Sequence, residues 1–437
     1  MPKFLLTIAA AGIFAVSPAA AAANALLNAA LSSITNEELY EHVEVLADDV
    51  YEGRGGGTRG GHAAGQYLVK QLREYPLEPA GTEGGYFQPF QNGGRNVLVR
   101  LPGNDPQLSH EVIVVGAHYD HVGRGSKGSG FGPIGEIHNG ADDNASGVSV
   151  LLETIEALAS TGLSSRRTLL FAFWDSEEIG LLGSKHWLRE PTVPRENVKL
   201  AIHADMVGRL RDGRLSLLGT RSGYGLRQLM SGPVNEPLWL DFAWELSANS
   251  DHWSFLEHRI PIALLHTGLH DDYHRPSDDV ERINADGMRE VSQYLLAILI
   301  KAGNADELPM FRAEAKRENG AMRRRVEQPL RPLRLDNWPA HLARPRLGIS
   351  WRSTDAEPGV VALTQVVAGT PAAAAGLTVH DRITEVNGRP FATEDEFRTI
   401  IMALIDGNMP EFTLGIESRG RVRTATVRMP TDATATE

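Results

Sequence analysis

Imidazoles and carboxylates recur at short intervals through the first two thirds of this 437-residue sequence. His118, Asp120 and His121 follow an apolar run. Asp142 and Asp143 are adjacent within His138-Asn-Gly-Ala-Asp-Asp-Asn-Ala-Ser-Gly147, and Glu177 and Glu178 close Asp175-Ser-Glu-Glu178. Asp205, Asp251-His252 and His270-Asp-Asp-Tyr-His274 come further along. All are oxygen or nitrogen donors of the kinds that ligate divalent cations. The chain has no cysteine, which excludes disulfides, thiolate metal sites, cysteine nucleophiles and a lipidated N-terminal Cys. Any metal must therefore rest on His, Asp or Glu. Taken singly, an Asp or His at a strand end is ordinarily a helix cap or a surface residue. Several carboxylates gathered at the ends of buried strands are costly unless something positive pairs with them, and a divalent metal pair fills that role.

The elements that must position these groups are legible as apolar runs. Glu111–Ala117, Thr168–Phe173, Leu200–Ala204 and Ile260–Leu265 read as buried strands, and Ser146–Ser160, Leu181–Arg189 and Gly287–Ala302 as helices. Alternation of short apolar runs with helical patterns from about Leu31 to Ala302 predicts an α/β domain with a mostly parallel central sheet flanked by helices. In such sheets, sites form at the carboxyl ends of the strands, where these donors lie. Met310–Arg346 then holds ten Lys or Arg against four Asp or Glu and reads as a solvated basic linker with a short helix. Beyond it, short β-like runs at Val360–Val367, Arg382–Val386, Glu411–Ile416 and Arg421–Arg428, punctuated by Gly and Asn-Gly turns, predict a small β-rich domain.

Lys3, the apolar run Phe4–Val16, Ser17-Pro18 and the small residues Ala19–Ala23 have the order of a secretory signal. The run is too short to span a membrane, so no stable membrane span is expected after cleavage, and the mature protein is expected to be secreted or periplasmic. The expected organisation is a signal peptide over 1–23, a catalytic domain over 24–305, a basic linker over 306–346 and a second domain over 347–430. With 43 Lys and Arg against 55 Asp and Glu, the net charge of −12 argues against nucleic acid as a partner.

Gly116-Ala-His-Tyr-Asp-His121, Gly140-Ala-Asp-Asp-Asn-Ala-Ser-Gly147, Trp174-Asp-Ser-Glu-Glu-Ile-Gly-Leu-Leu-Gly-Ser184, Asp205-Met-Val-Gly208 and Tyr273-His-Arg-Pro-Ser-Asp278 resemble the successive motifs of secreted, leucyl-aminopeptidase-type metallopeptidases with two co-catalytic zinc ions. Leu46-Ala-Asp-Asp-Val-Tyr-Glu-Gly-Arg-Gly55 resembles the segment that opens that zinc exopeptidase domain. The resemblance implies that His118 and Asp205 bind one zinc, Glu178 and His274 the other, and Asp142 bridges them. It makes Glu177 the general base and Asp120 the carboxylate that orients His118. A zinc pair activates a shared water and polarises the scissile carbonyl, and cobalt or manganese is chemically compatible with the same donors. His203 and Arg275 depart from the family pattern without replacing a ligand. The Gly-rich stretch Gly123–Gly135 reads as a mobile loop. Trp244, Trp253 and Phe255 are read as core residues rather than a side-chain pocket.

Arg346-Leu-Gly-Ile349, Gly369-Thr-Pro-Ala-Ala-Ala-Ala-Gly-Leu377 and Asp381-Arg-Ile-Thr-Glu-Val-Asn-Gly388 are similar to PDZ domains of the bacterial protease type, with His380 where Gly is usual. That resemblance implies a peptide C-terminus received near Leu347, Gly348 and Ile349, added as a strand to the sheet edge, or a module that only packs on the catalytic domain. The leading expectation is an exported aminopeptidase acting on peptides with a free N-terminus. The alternatives are a glutaminyl cyclase, a carboxypeptidase that uses Arg209, Arg211 or Arg275 for the substrate carboxylate, and an inactive scaffold whose PDZ domain binds.

Overall fold

The computed structural model describes residues 18–125, 130–232, 234–337 and 346–430. The apolar run Phe4–Val16, expected to belong to a secretory signal, therefore lies outside the described residues, as does 126–129 within the Gly-rich stretch. The first domain contains helices α1 (Pro18–Ser33), α2 (Asn36–Leu46), α3 (Arg59–Leu72), α4 (Gly147–Thr161), α5 (Leu182–Arg189), α6 (Leu226–Met230), α7 (His252–Glu257) and α8 (Ala285–Asn304). Its strands are β1 (Glu78–Pro79), β2 (Phe87–Pro89), β3 (Arg95–Leu101), β4 (Val112–His118), β5 (Thr168–Trp174), β6 (Val198–Ala204), β7 (Arg214–Leu218), β8 (Trp239–Ala243) and β9 (Ile262–His266). They form one sheet in the order β1-β3-β5-β4-β6-β9-β7-β8, with β2 paired to β3. The centre, β5-β4-β6-β9, is parallel, and antiparallel strands β3 and β7 flank it. Every residue of β4 and β5 is buried, which is why both read as continuous apolar runs instead of alternating ones.

One face of the sheet carries α2, α3, α4 and α8, whose buried residues form the main core. A smaller core on the other face gathers Trp174, Trp187 and Phe255 around α5 and α7. Of the three aromatics expected in the core, Phe255 is fully buried there, Trp253 is half-buried against it, and Trp244 is nearly buried elsewhere in the domain. The helix α1 runs through the expected cleavage point near Ala23 and packs Ala30, Leu27 and Leu31 onto that main core. Among the described residues no helix is long and apolar enough to cross a membrane.

The second domain is a six-stranded antiparallel sheet of β10 (Ile349–Arg352), β11 (Val361–Val366), β12 (Arg382–Val386), β13 (Arg389–Pro390), β14 (Glu411–Ser418) and β15 (Arg421–Arg428). Helices α10 (Pro371–Ala374) and α11 (Glu394–Asp406) complete it around its own core. Gly348 has φ 90°, and a Cβ there would lie 2.2 Å from Thr370 Oγ1, so the turn entering β10 admits only glycine. His380 holds φ 77°, a left-handed conformation a glycine would take freely.

The basic segment is solvated along much of its length but packs on both domains at particular residues. Arg312 is 3% exposed and pairs with Glu318 and Asp355, while the Leu330 and Leu335 amides hydrogen-bond to the carbonyls of Thr364 and Ala368 beside β11. It includes a short helix, α9 (Gly320–Val326), as expected. Arg312 and Arg323 pair at the junction between the domains, while Lys316, Arg317, Arg324, Arg325 and Arg331 are exposed. Arg221 and Arg227 from the first domain meet Glu357, Arg382 and Glu417 of the second, with Glu318 and Glu327 of the segment completing a buried ion network. The Arg419 and Gly420 carbonyls of the β14–β15 turn accept from Leu240 and Gly232, so the second domain covers the β8 edge of the first.

Candidate metal centre

The neighbours β5, β4 and β6 are parallel, so their carboxyl ends lie side by side and deliver Glu177 and Glu178, His118, and Asp205 to one place. The turn Ala141–Ser146, which leads into α4, brings the Asp pair, and the loop after β9 brings His270 and His274. His118 Nε2 lies 3.3 Å from Asp143 Oδ1 and 3.4 Å from Asp205 Oδ1. His274 Nε2 lies 3.0 Å from Asp143 Oδ2 and 3.1 Å from Glu178 Oε2. Asp143 therefore spans two imidazoles, each of which also faces a second carboxylate. His118, Asp143 and Glu178 each present a ligand atom within 4.8 Å of the others.

This geometry corrects the expectation for Asp142. Its Oδ1 accepts the Gly208 amide at 2.6 Å and the Ser146 hydroxyl at 3.1 Å, and its Oδ2 lies 3.0 Å from His270 Nε2. Both oxygens of this carboxylate are engaged by groups other than His118 and His274. Asp142 meets His270, while His118 and His274 meet Asp143. Gly140, at φ 59°, makes the turn possible, because a Cβ there would collide with Asp143 O at 2.2 Å. The non-proline cis peptide is Asp143–Asn144.

Asp120 also differs from expectation. His118 Nδ1 lies 3.1 Å from the Asp120 backbone carbonyl and 3.8 Å from its carboxylate. The Asp120 carboxylate instead accepts the Glu177 and Glu178 amides, at 3.0 and 3.3 Å. It fixes the backbone of the Glu pair rather than the imidazole. Glu177, nearly buried, makes no side-chain hydrogen bond or ion pair among the described residues.

Several supporting groups had no role in the sequence reading. His121 Nδ1 is 2.8 Å from Glu178 Oε1. Asp278 Oδ2 accepts the Asp142 and Asp143 amides at 3.0 and 3.1 Å, and Arg209 holds its other oxygen at 2.9 Å. The fully buried Arg54 donates to the carbonyls of Leu46, Tyr119, Asn139 and Gly140, tying the site's loops together. Asp278 and Arg54 stand inside recognisable motifs, but nothing in their spacing tells a backbone clamp from a ligand. The described part of the Gly-rich stretch closes on the site, where the Phe131 amide donates to His274 O at 2.7 Å.

The electrostatics show what the cluster lacks. Burial opposes charge on every member, yet Asp205, Glu177 and Asp143 raise His118 well above the ordinary imidazole range, and Asp143 and Glu178 push His274 up to about 10. The same contacts hold Asp143 well below the usual carboxylate range. Protons on the histidines supply the positive charge that these carboxylates demand, and divalent cations on the same nitrogens and oxygens would meet that demand instead. The donor set, all N and O with carboxylates between imidazoles, fits zinc. Burial, and then repulsion from Glu178, Asp251 and Asp205 against the pull of His118, lift Glu177 well above the ordinary range.

Comparison with known proteins gives the same picture. Residues 96–299 match Peptidase family M28 and residues 345–428 match the PDZ domain. A probable leucine aminopeptidase of Trichophyton verrucosum is 23% identical over 299 residues, covering 65% of this chain and 78% of its own length. Leupeptin-inactivating enzyme 1 of Streptomyces exfoliatus is 30% identical over 207 residues, covering 46% and 43%. The LapA aminopeptidase of Legionella pneumophila superposes with a TM-score of 0.53 at 21% identity, over 65% of this chain and 76% of its own, a likeness of fold. With imidazoles and carboxylates converging at the strand ends of the matched region, the chain holds a peptidase family M28 domain followed by a PDZ domain.

Proposed function

We propose that this chain is an exported, zinc-dependent aminopeptidase that hydrolyses N-terminal residues from peptides. The observation that carries the reading is the Asp143 carboxylate spanning His118 and His274, with the unpaired Glu177 beside it. His118 and Asp205 would hold one zinc, His274 and Glu178 the other, with Asp143 shared between them. When bound, such a pair supplies Lewis acidity toward the scissile carbonyl and lowers the pKa of the attacking water. Glu177 accepts the proton of that water on its carboxylate and returns it to the leaving amine, which a buried carboxylate with an elevated pKa is suited to do. Asp120 holds the Glu177 amide so that this carboxylate stays aimed, and His121 braces Glu178 from outside.

The carboxypeptidase alternative loses support because Arg209, one candidate for a substrate carboxylate, is spent on Asp272 and Asp278. Arg275 lies over the Phe131 ring, and Arg211 donates to Leu269 O. The names of the relatives favour the aminopeptidase. The PDZ domain, fixed against the first domain, would offer its β10 edge to a peptide C-terminus. Export rests on the N-terminal sequence alone.

The reading is tested by incubating zinc-loaded mature protein with peptides that are free, N-acetylated, C-amidated or headed by Gln, with a chelated control, and following products by mass spectrometry. Stepwise, metal-dependent loss from free N-termini only is the expected result. Loss from C-termini, or of ammonia from N-terminal Gln, overturns it.

A further inference from the structure

Helices α2, α3 and α4, on the main-core face of the first domain, enclose a cavity of about 380 Å³. Its walls come from residues three or four apart on each helix: Glu38 and His42 of α2, Tyr67 and Lys70 of α3, and Glu153 and Glu156 of α4. None of its lining residues belongs to the metal centre. Four carboxylates, those of Glu38, Glu41, Glu153 and Glu156, line it against the single ammonium of Lys70, which is exposed and forms no ion pair among the described residues. Glu153 is 1% exposed, and its Oε1 accepts no hydrogen bond among the described residues. His42 Nε2 stands 3.4 Å from that oxygen, while His42 Nδ1 lies 2.6 Å from the Tyr67 hydroxyl. Even a protonated His42 leaves four carboxylates against two cations. Glu38 accepts the Thr35 hydroxyl at 2.7 Å and Glu156 accepts the Tyr75 hydroxyl, contacts that bring no positive charge. Burial lifts Glu153 above the ordinary carboxylate range against the pull of His42, and Glu38 and Glu156 add to the lift.

Glutamate is almost never fully buried unless it is paired, so a cavity of this charge lacks a cation with N–H donors. A bare divalent ion fits it poorly. Among the described residues, three metal-ligating atoms converge within 4.8 Å at His118, Asp143 and Glu178, and the cavity carboxylates form no such group. A volume of about 380 Å³ also far exceeds an ion and falls in the range of small-molecule sites. The rest of the wall is apolar or aromatic: Leu72, Leu152 and Ile155 suit a methylene stem, and the Tyr67 and Tyr75 rings suit a cationic head. We propose that this cavity binds an alkylammonium or alkylguanidinium group, with Glu153 as its buried counter-charge. That chemistry is shared by free small cations such as agmatine and by the Lys or Arg side chain of a peptide.

The test is calorimetric titration of the zinc-loaded protein, its metal centre saturated with L-leucine hydroxamate so that the heat reports binding elsewhere. The probes are agmatine, an N-acetylated and C-amidated lysine peptide, 1,5-pentanediol and magnesium chloride. Agmatine should bind and the uncharged diol should not. Heat from the peptide as well extends the ligand to basic side chains, and its absence confines the ligand to free small cations. Glu153→Gln should weaken agmatine by about 10–100-fold, the range for a hydrogen bond to a charged group. Glu41→Gln, an exposed change at the same cavity, should weaken it by about 2–5-fold and gives a second reading should Glu153→Gln fold poorly. No binding of agmatine, equal binding of the diol, displacement of agmatine by tighter-binding magnesium, or unchanged affinity in whichever variant folds would overturn the proposal.

Discussion

Replacing Asp143 by alanine separates the two assignments that adjacent aspartates allow. Its oxygens lie 3.3 and 3.0 Å from His118 and His274, so a single substitution takes a donor from both halves of the site. Loss of even an indirect support typically costs about 10–100-fold in metal affinity, so two positions together should lose at least about 10²–10⁴-fold. Asp142→Ala instead removes the acceptor for the Gly208 amide and the partner of His270 Nε2. That should cost about 1–3 kcal/mol of stability through unpaired buried groups, with metal content preserved. Equilibrium dialysis against chelator-buffered zinc, followed by elemental analysis and differential scanning calorimetry, measures both quantities. Asp143→Ala should emerge depleted of metal, and Asp142→Ala loaded but less stable. If Asp143→Ala retained its metal while Asp142→Ala lost it, the bridging role argued from this geometry would be wrong.

Glu177→Gln should keep its metal and cut kcat by roughly 10²–10⁴-fold, the span of a lost general base, and near-normal turnover would remove Glu177 from that role. Despite its burial, Glu357 is held at about 2, chiefly by Arg382 and Arg227, below its ordinary 4.5. The stability it confers on the domain junction is therefore complete above that ordinary value and is lost as pH falls from about 4.5 toward 2. Glu357→Gln should abolish this acid step and lower neutral-pH stability by roughly 3 kcal/mol or more, because Arg382 is left buried and short of a partner. Chemical denaturation followed by tryptophan fluorescence across pH reads both, and an unchanged acid profile would count against the network. His380→Gly should relieve the left-handed backbone at φ 77° and raise stability of the PDZ domain by up to about 1 kcal/mol, unless the gain in unfolded-chain freedom offsets it entirely. A clear loss of stability in a thermal melt would mean that the imidazole itself contributes.

The sequence by itself determined the sheet and most of its site. Buried parallel strands show as unbroken apolar runs, and Val112–His118 and Thr168–Trp174 fall within a residue of where those runs predict them. The donors at their ends could be named because ligands must be His, Asp or Glu in a chain without cysteine. Only the tertiary structure decided which of Asp142 and Asp143 faces the histidines, since that depends on backbone dihedrals in the Ala141–Ser146 turn, and residue identity does not encode them. It likewise turned Asp120 from an imidazole partner into a clamp on the Glu177–Glu178 backbone, because atoms two residues apart offer a carbonyl as readily as a carboxylate. Arg312 and Arg323 read as part of a solvated run because their partners Asp355 and Asp241 lie far along the chain. Folding brings Asp241 and Asp355 to these two arginines, and long-range ion pairing of that kind leaves no local pattern to read.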